Sequence, residues 1–220
     1  MQVIRLLIIL LGFLSTASFV QAETKDWAFD VYLDNKLIGF HSFKLSNNNL
    51  LSDAKFKVNF LFLTAYEYQH TSNEQWNDDC LTSLDATTKE NKTLSKVKAY
   101  LDNGNFFVNG NVDKNEKNRS LNGCVMDFAY WNPKILTQTK LLNPQNGEYL
   151  DVSFKQESDK KIDFRGEIKN VKAFHLYGNS SESLPDKPKI DILIWYDNNN
   201  DWLGLRSITP EGFTISYKRK

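Results

Sequence analysis

The chain of 220 residues balances 27 basic side chains against 27 acidic ones, and 41% of its residues are hydrophobic and 13% aromatic. Zero net charge removes the electrostatic footprint of a nucleic-acid binder, and the apolar content excludes a disordered chain. No repeat of about 20 to 50 residues recurs, which excludes solenoids and propellers.

Residues 1–22 have the character of a cleavable secretory signal. Arg5 supplies a positive start, Leu6 opens an apolar run to Leu14, and Val20 and Ala22 precede a cut before Glu23. The run is shorter than the ~20 residues of a membrane span, and Ser15, Thr16, Ser18 and Gln21 break its end. The expectation is one domain over residues 23–220, exported to the periplasm, with no transmembrane span after the signal is removed.

Beyond the leader the dominant period is two, the mark of half-buried strands. Trp27, Phe29, Val31 and Leu33 alternate with Ala28, Asp30, Tyr32 and Asp34, and Phe56, Val58, Phe60 and Phe62 repeat the pattern. Next comes the segment 66–76, where Tyr66, Tyr68, His70, Ser72, Glu74 and Trp76 share one face. The opposite face, from Glu67 to Gln75, is polar throughout. Rings mixed with ionisable groups on an inward face suit a ligand cavity, because an unpaired buried charge is costly. A strand running past the rim of the core, with these groups solvated, is the competing reading. His70 and Glu74 stand roughly 13 Å apart along a strand, so they form no acid–base pair by themselves. His41 and His175 are single residues in strand-like runs and read as structural.

Cys80 and Cys124 are the only cysteines. An even count in an oxidising compartment predicts a disulfide, and closing a loop of about 45 residues stabilises by on the order of 4 kcal/mol through chain entropy. The histidines share no ligand spacing with the cysteines, so no metal site is expected. Residues 97–101 form a further strand, and residues 114–123 read as an exposed loop. Asn132 then caps an expected helix over residues 133–142, opened by Pro133 and stopped at Asn143-Pro144. Tyr130 and Trp131 just before it act as a hydrophobic staple or as a cap on the mouth of a curved sheet. Residues 150–154 and 162–164 alternate again, residues 179–189 read as an exposed loop, and residues 190–196 are apolar on both parities except for Asp191. Trp195 and Trp202 flank an Asn/Asp-rich turn and are placed to line the same space. Phe213, Ile215 and Tyr217 close the chain as a last strand.

The pattern predicts an all-β fold: a curved antiparallel sheet or incomplete barrel of ten to twelve strands, with one short helix against it. The chain lacks a Gly-x-Ser-x-Gly elbow, a His-Glu-x-x-His pair, a phosphate loop and a Ser-x-x-Lys, so no catalytic residue is assigned and no cofactor is expected.

The order Tyr66-x-Tyr68-x-His70-x-x-x-Glu74-x-Trp76, Cys80, Cys124, Tyr130-Trp131-Asn132-Pro133, the Gln145-x-Gly147-Glu148 run and Trp195-Tyr196 resembles an uncharacterised family of exported proteobacterial proteins. The strand succession is also similar in topology to the lipoprotein-carrier-like curved sheets of the periplasm. The resemblance implies no established activity. The expected function is binding or carriage of a lipid or other apolar molecule, using Tyr66, Tyr68, His70, Glu74, Trp76, Tyr130, Trp131 and Trp195. A structural or assembly role among envelope proteins is the alternative, and a hydrolase or isomerase with residues from separate strands is the third.

Overall fold

The computed structural model describes residues 24–60, 63–179, 190–209 and 212–220. The expected leader, Phe62 and most of the expected 179–189 loop lie outside them. Fifteen strands form among the described residues, more than the ten to twelve expected: β1 (Thr24–Leu33), β2 (Lys36–Ser46), β3 (Asn49–Phe60), β4 (Leu63–Asn77), β5 (Cys80–Glu90), β6 (Thr93–Asp102), β7 (Asn105–Val112) and β8 (Asn115–Asn122). After a long connection follow β9 (Lys140–Leu142), β10 (Tyr149–Gln156), β11 (Lys160–Phe164), β12 (Glu167–Asn179), β13 (Ile190–Tyr196), β14 (Trp202–Ile208) and β15 (Thr214–Arg219).

All belong to one antiparallel sheet running β8 to β1 and then β15, β14, β13, β12, β10 and β9, with β11 also on β12. The sheet does not close, since β8 and β9 each end it. Its centre is the pairing of β1 with β15, in which Val31 faces Tyr217 and Phe29 faces Arg219. The hairpins of the β1–β8 meander turn on Asp34, Asn47, Asp78, Asn91, Asn103 and Asp113, all at positive φ. Asn and Asp tolerate that conformation better than other side-chain-bearing residues. Gly39 permits a close approach of β2 to β3: a Cβ there would lie 1.8 Å from the Lys55 carbonyl oxygen.

Two expectations are corrected. Residues 114–123 are not a loop, because β8 occupies most of them and pairs with β7 from Asn105↔Asn122 to Val112↔Asn115. As an edge strand it is largely exposed on both faces and carries no apolar alternation to announce it. The expected helix over 133–142 is only a 3₁₀ turn, Pro133–Thr137. Asn132 does cap it, accepting the Lys134 N–H, but Gln138 is already extended and residues 140–142 pair with β10 as β9. A ten-residue helix is marginal in water, and burying Leu141 and Leu142 completely in the sheet's core outweighs its local signals.

The connection between β8 and β10 supplies the filling of the sheet. Val125, Met126, Ala129, Ile135, Leu141 and Leu142 pack with Trp27, Phe29, Leu50, Trp76, Leu84, Val97, Phe106 and Val108 in one large cluster. The connection is anchored by the Cys80–Cys124 disulfide, by Leu81 N–H donating to Val125 O (2.8 Å), and by Tyr196 Oη donating to Tyr130 O (2.8 Å). A second cluster of Val31, Ile38, Ala54, Phe56 and Tyr68 lies beside it on the same inward face. Among the described residues no helix is long and apolar enough to cross a membrane.

Candidate functional site

The strand β4 carries the inward alternation read from its sequence. Tyr68, His70, Ser72, Glu74 and Trp76 are buried, Tyr66 is half-buried, and Thr71, Asn73 and Gln75 are exposed. Cross-strand pairing sets their neighbours. Phe56 of β3 faces Tyr68 and stacks on it with centroids 5.0 Å apart and planes 11° apart. Ala54 faces His70 on one side and Thr88 of β5 faces it on the other, with His70 Nδ1 2.8 Å from Thr88 Oγ1.

Next to this aromatic pair stands a second group from distant strands. His41 of β2 lies with its ring 5.6 Å from that of Tyr217 of β15. Its Nδ1 is 3.1 Å from Tyr217 Oη and its Nε2 is 2.8 Å from Ser52 Oγ. Tyr217 also meets the edge of Phe56 at 6.2 Å. Tyr130, from the filling connection, is near enough to Tyr68 and Tyr217 for their phenols to raise one another's pKa. Tyr66, Tyr68, Tyr130 and Tyr217 thus converge with Phe56, His41 and His70 on one part of the inward face.

Burial decides the charge of this group. It pushes the phenols of Tyr66, Tyr68, Tyr130 and Tyr217 above their ordinary value. It pulls His70 down to about 4, and burial together with His70 holds His41 well below its usual value. Desolvation disfavours every charged form, so at neutral pH the wall is uncharged: phenol hydroxyls and neutral imidazoles around an aromatic stack. Tyr66, Tyr130, Tyr217 and His41 keep partial exposure, while only 6% of Tyr68 is exposed. Tyr66 donates to Glu90 Oε1 at 3.0 Å, whereas no hydrogen bond reaches the Tyr68 or Tyr130 hydroxyl among the described residues.

The lower end of β4 is differently built. Glu74 accepts from Ser72 Oγ on Oε1 (2.6 Å) and from Trp76 Nε1 on Oε2 (3.1 Å), and its side chain is hydrogen-bonded to that of Asp127. Burial raises Glu74 to about 7, and burial with the neighbouring Glu74 raises Asp127 well above the carboxylate range. Trp131 meets Trp76 edge to face at 5.3 Å, and Tyr130 lies 5.3 Å from Trp202. With only a short 3₁₀ turn behind them, these two half-buried rings pack against the sheet's interior.

Trp195 stands apart. Tyr196 and Ile194 enter the inward cluster with Trp202, so Trp195 projects from the other face of β13. There it sits between its cross-strand partners Ala173 and Gly204, small residues that leave room for its ring. The sequence had placed Trp195 and Trp202 in one space; the alternation of β13 separates them. Of the expected residues the fold therefore gathers Tyr66, Tyr68, His70 and Tyr130 in the uncharged wall, sets Glu74, Trp76 and Trp131 beside it, and leaves Trp195 outside.

Reasoning from sequence missed His41, Phe56, Tyr217 and Asp127. Phe56 and Tyr217 were visible as inward positions of their own strands, but nothing local joins them to β4. His41 read as a lone structural residue, and Asp127 sits in a stretch without periodicity. Among the described residues no group of three or more His, Cys, Asp or Glu side chains is placed to hold a metal ion.

A solved structure shares the architecture: the crystal structure of a beta-barrel-like protein of domain of unknown function DUF1849 from Brucella abortus. It superimposes with a TM-score of 0.63 at 11% identity, covering 89% of this chain and 94% of that one. That likeness concerns the fold. None of the curated proteins matches the chain. Residues 29–220 match the family described as domain of unknown function DUF6134, and with nearly all the described fold inside that match, the chain belongs to this family.

Proposed function

We propose that the protein is an exported, periplasmic binding or carrier module for a lipid or another largely apolar small molecule. The carrying observation is the convergence of Tyr66, Tyr68, Tyr130 and Tyr217 on the Phe56–Tyr68 stack, uncharged at neutral pH and partly open at its margins. Small-molecule sites combine apolar walls with a few placed polar groups, and here the phenols and imidazoles supply those groups. The hydroxyls of Tyr68 and Tyr130, which meet no hydrogen-bond partner among the described residues, suit a ligand with an apolar body and a single polar end. The assembly alternative is less favoured at one edge: β8 presents Glu116, Lys117 and Arg119, charges of the kind that discourage edge-to-edge pairing.

Two measurements test the proposal. Native mass spectrometry of protein purified from the periplasm is expected to show a co-purified apolar molecule. Tyr68→Ala is expected to weaken binding of an apolar fluorescent probe about tenfold or more, whereas Gln69→Ala leaves it unchanged. Unfolding is followed in parallel, because loss of a core ring also removes binding by unfolding the protein. Neither co-purified molecule nor probe binding in the wild type overturns the proposal and moves the assembly role to first place.

A further inference from the structure

A second site lies away from the phenol wall. At the end of the sheet where β1 begins, a cleft of about 1050 Å³ opens between the β4–β5 turn, the β13–β14 turn and the 3₁₀ turn. That volume lies just above the roughly 300–1,000 Å³ typical of small-molecule sites.

The cleft's aromatic part is made by Trp27 and Trp131, whose rings touch at 6.1 Å between centroids and tilt by 38°. In contact with one another, they leave no slot for a cation between two parallel rings; Trp27 is buried, and the half-buried Trp131 that it backs presents the accessible indole. Around it stand oxygen groups from three separate elements. Asp201 is held in place by the Trp27 indole, which donates to its Oδ1 at 3.0 Å, and by an ion pair with Arg219. Asp79 accepts from Asn132 Nδ2 at 3.0 Å. Asp26 and Asp78 are exposed on the margin.

These features select a ligand chemistry. Carboxylates outnumber the cations Lys25 and Arg219 along the lining, which disfavours an anion. The carboxylates are too dispersed to gather a metal ion among the described residues. Several fixed acceptors around an aromatic surface suit a molecule with an apolar C–H face and many hydroxyl donors. Hydroxyl-to-carboxylate hydrogen bonds are charge-assisted and so among the stronger kind. We propose that this cleft binds a neutral saccharide chain, stacking a sugar ring on Trp131 and holding its hydroxyls on Asp78, Asp79 and Asp201. The site is independent of the apolar-ligand reading.

The test is isothermal titration calorimetry of the protein lacking residues 1–22 with maltotriose, cellotriose and triacetylchitotriose. Saturable binding of at least one is expected. Trp131→Ala is expected to abolish it, and Asp78→Asn to weaken it about tenfold, the loss of one charge-assisted hydrogen bond. Asp78 is an exposed turn residue whose positive φ Asn also tolerates, so this variant keeps the test valid if Trp131→Ala fails to fold. Tyr68→Ala is expected to leave saccharide binding intact, which separates failure here from failure of the phenol wall. No saturable binding to any of the three sugars overturns the proposal, as does an affinity unchanged in Asp78→Asn.

Discussion

The carboxyl group of Asp127 is hydrogen-bonded to that of Glu74, and the two residues are only 2% and 4% exposed. Glu74 already accepts from Ser72 and Trp76, so its charged form is the better satisfied of the two. Asp127 has the higher proton affinity and donates its O–H to Glu74. Two carboxylates this close in a dry interior cannot both ionise freely, so they hold one proton between them. The bond also ties the filling connection to β4, since one partner comes from each.

A second proton, the one Glu74 takes up at lower pH, makes stability depend on pH. The folded value of Glu74, about 7, lies above its unfolded value, so the folded state keeps a proton that the unfolded state releases. The stabilisation is present below the unfolded value and lost as pH rises toward 7, by on the order of 3 kcal/mol. Glu74→Gln is expected to flatten this limb in urea unfolding at intervals from pH 4 to 8. An unchanged slope in the variant means that another group carries the dependence.

His70 works in the opposite direction. Its folded value, about 4, lies below its unfolded one, so its contribution is complete above the ordinary imidazole value and is lost as pH falls. His41, lowered for the same reason, adds to this limb. His70→Asn is expected to reduce the acid-side loss of melting temperature between pH 6.5 and 4. Retention of the full loss assigns it to His41 or to the carboxylates.

The disulfide is checked by mass and by stability. Under the proposed export, the intact mass begins at Glu23 and lacks two hydrogens, with no free thiol in the denatured protein. Replacing Cys80 and Cys124 together by Ser is expected to cost about 2–5 kcal/mol. Two alkylatable thiols in the wild type contradict the first expectation, and an unchanged urea midpoint contradicts the second.

The 3₁₀ turn gives a graded pair. Asn132→Ala removes the cap to Lys134 and the bond to Asp79, and is expected to cost about 1 kcal/mol. Ile135, not Leu136, is the fully buried residue of the turn, so Ile135→Ala is expected to cost about 2–5 kcal/mol and Leu136→Ala less. Equal effects at 135 and 136 in chemical denaturation contradict the packing described.

The strand β4 was legible because period two is a local property: alternate residues take opposite faces wherever the strand pairs. The same rule made the all-β class readable. It could not show which strands become neighbours, and so Tyr217 and His41 stayed unconnected to Tyr68. Asp127 was hidden because the filling connection follows tertiary contacts with no period of its own. The local cap at Asn132 was read correctly, but its strength could not be weighed against the burial of Leu141 and Leu142.

The seam between β1 and β15 sets an order on the folding of this chain. Phe29 and Val31 find their partners on one side within a dozen residues, but on the other only at Arg219 and Tyr217. Until β15 arrives, β1 is a free edge, and the meander of β2–β8 and the block of β12–β14 are two half-sheets with nothing between them. A pairing across such a sequence distance is slow to form, because its loop must be closed before the contact repays it. Folding is therefore expected to be completed late and from the C-terminal side, with β15 as the strip that joins the halves. Under the proposed export from the N-terminus, this keeps the sheet incomplete until β15 has crossed the membrane.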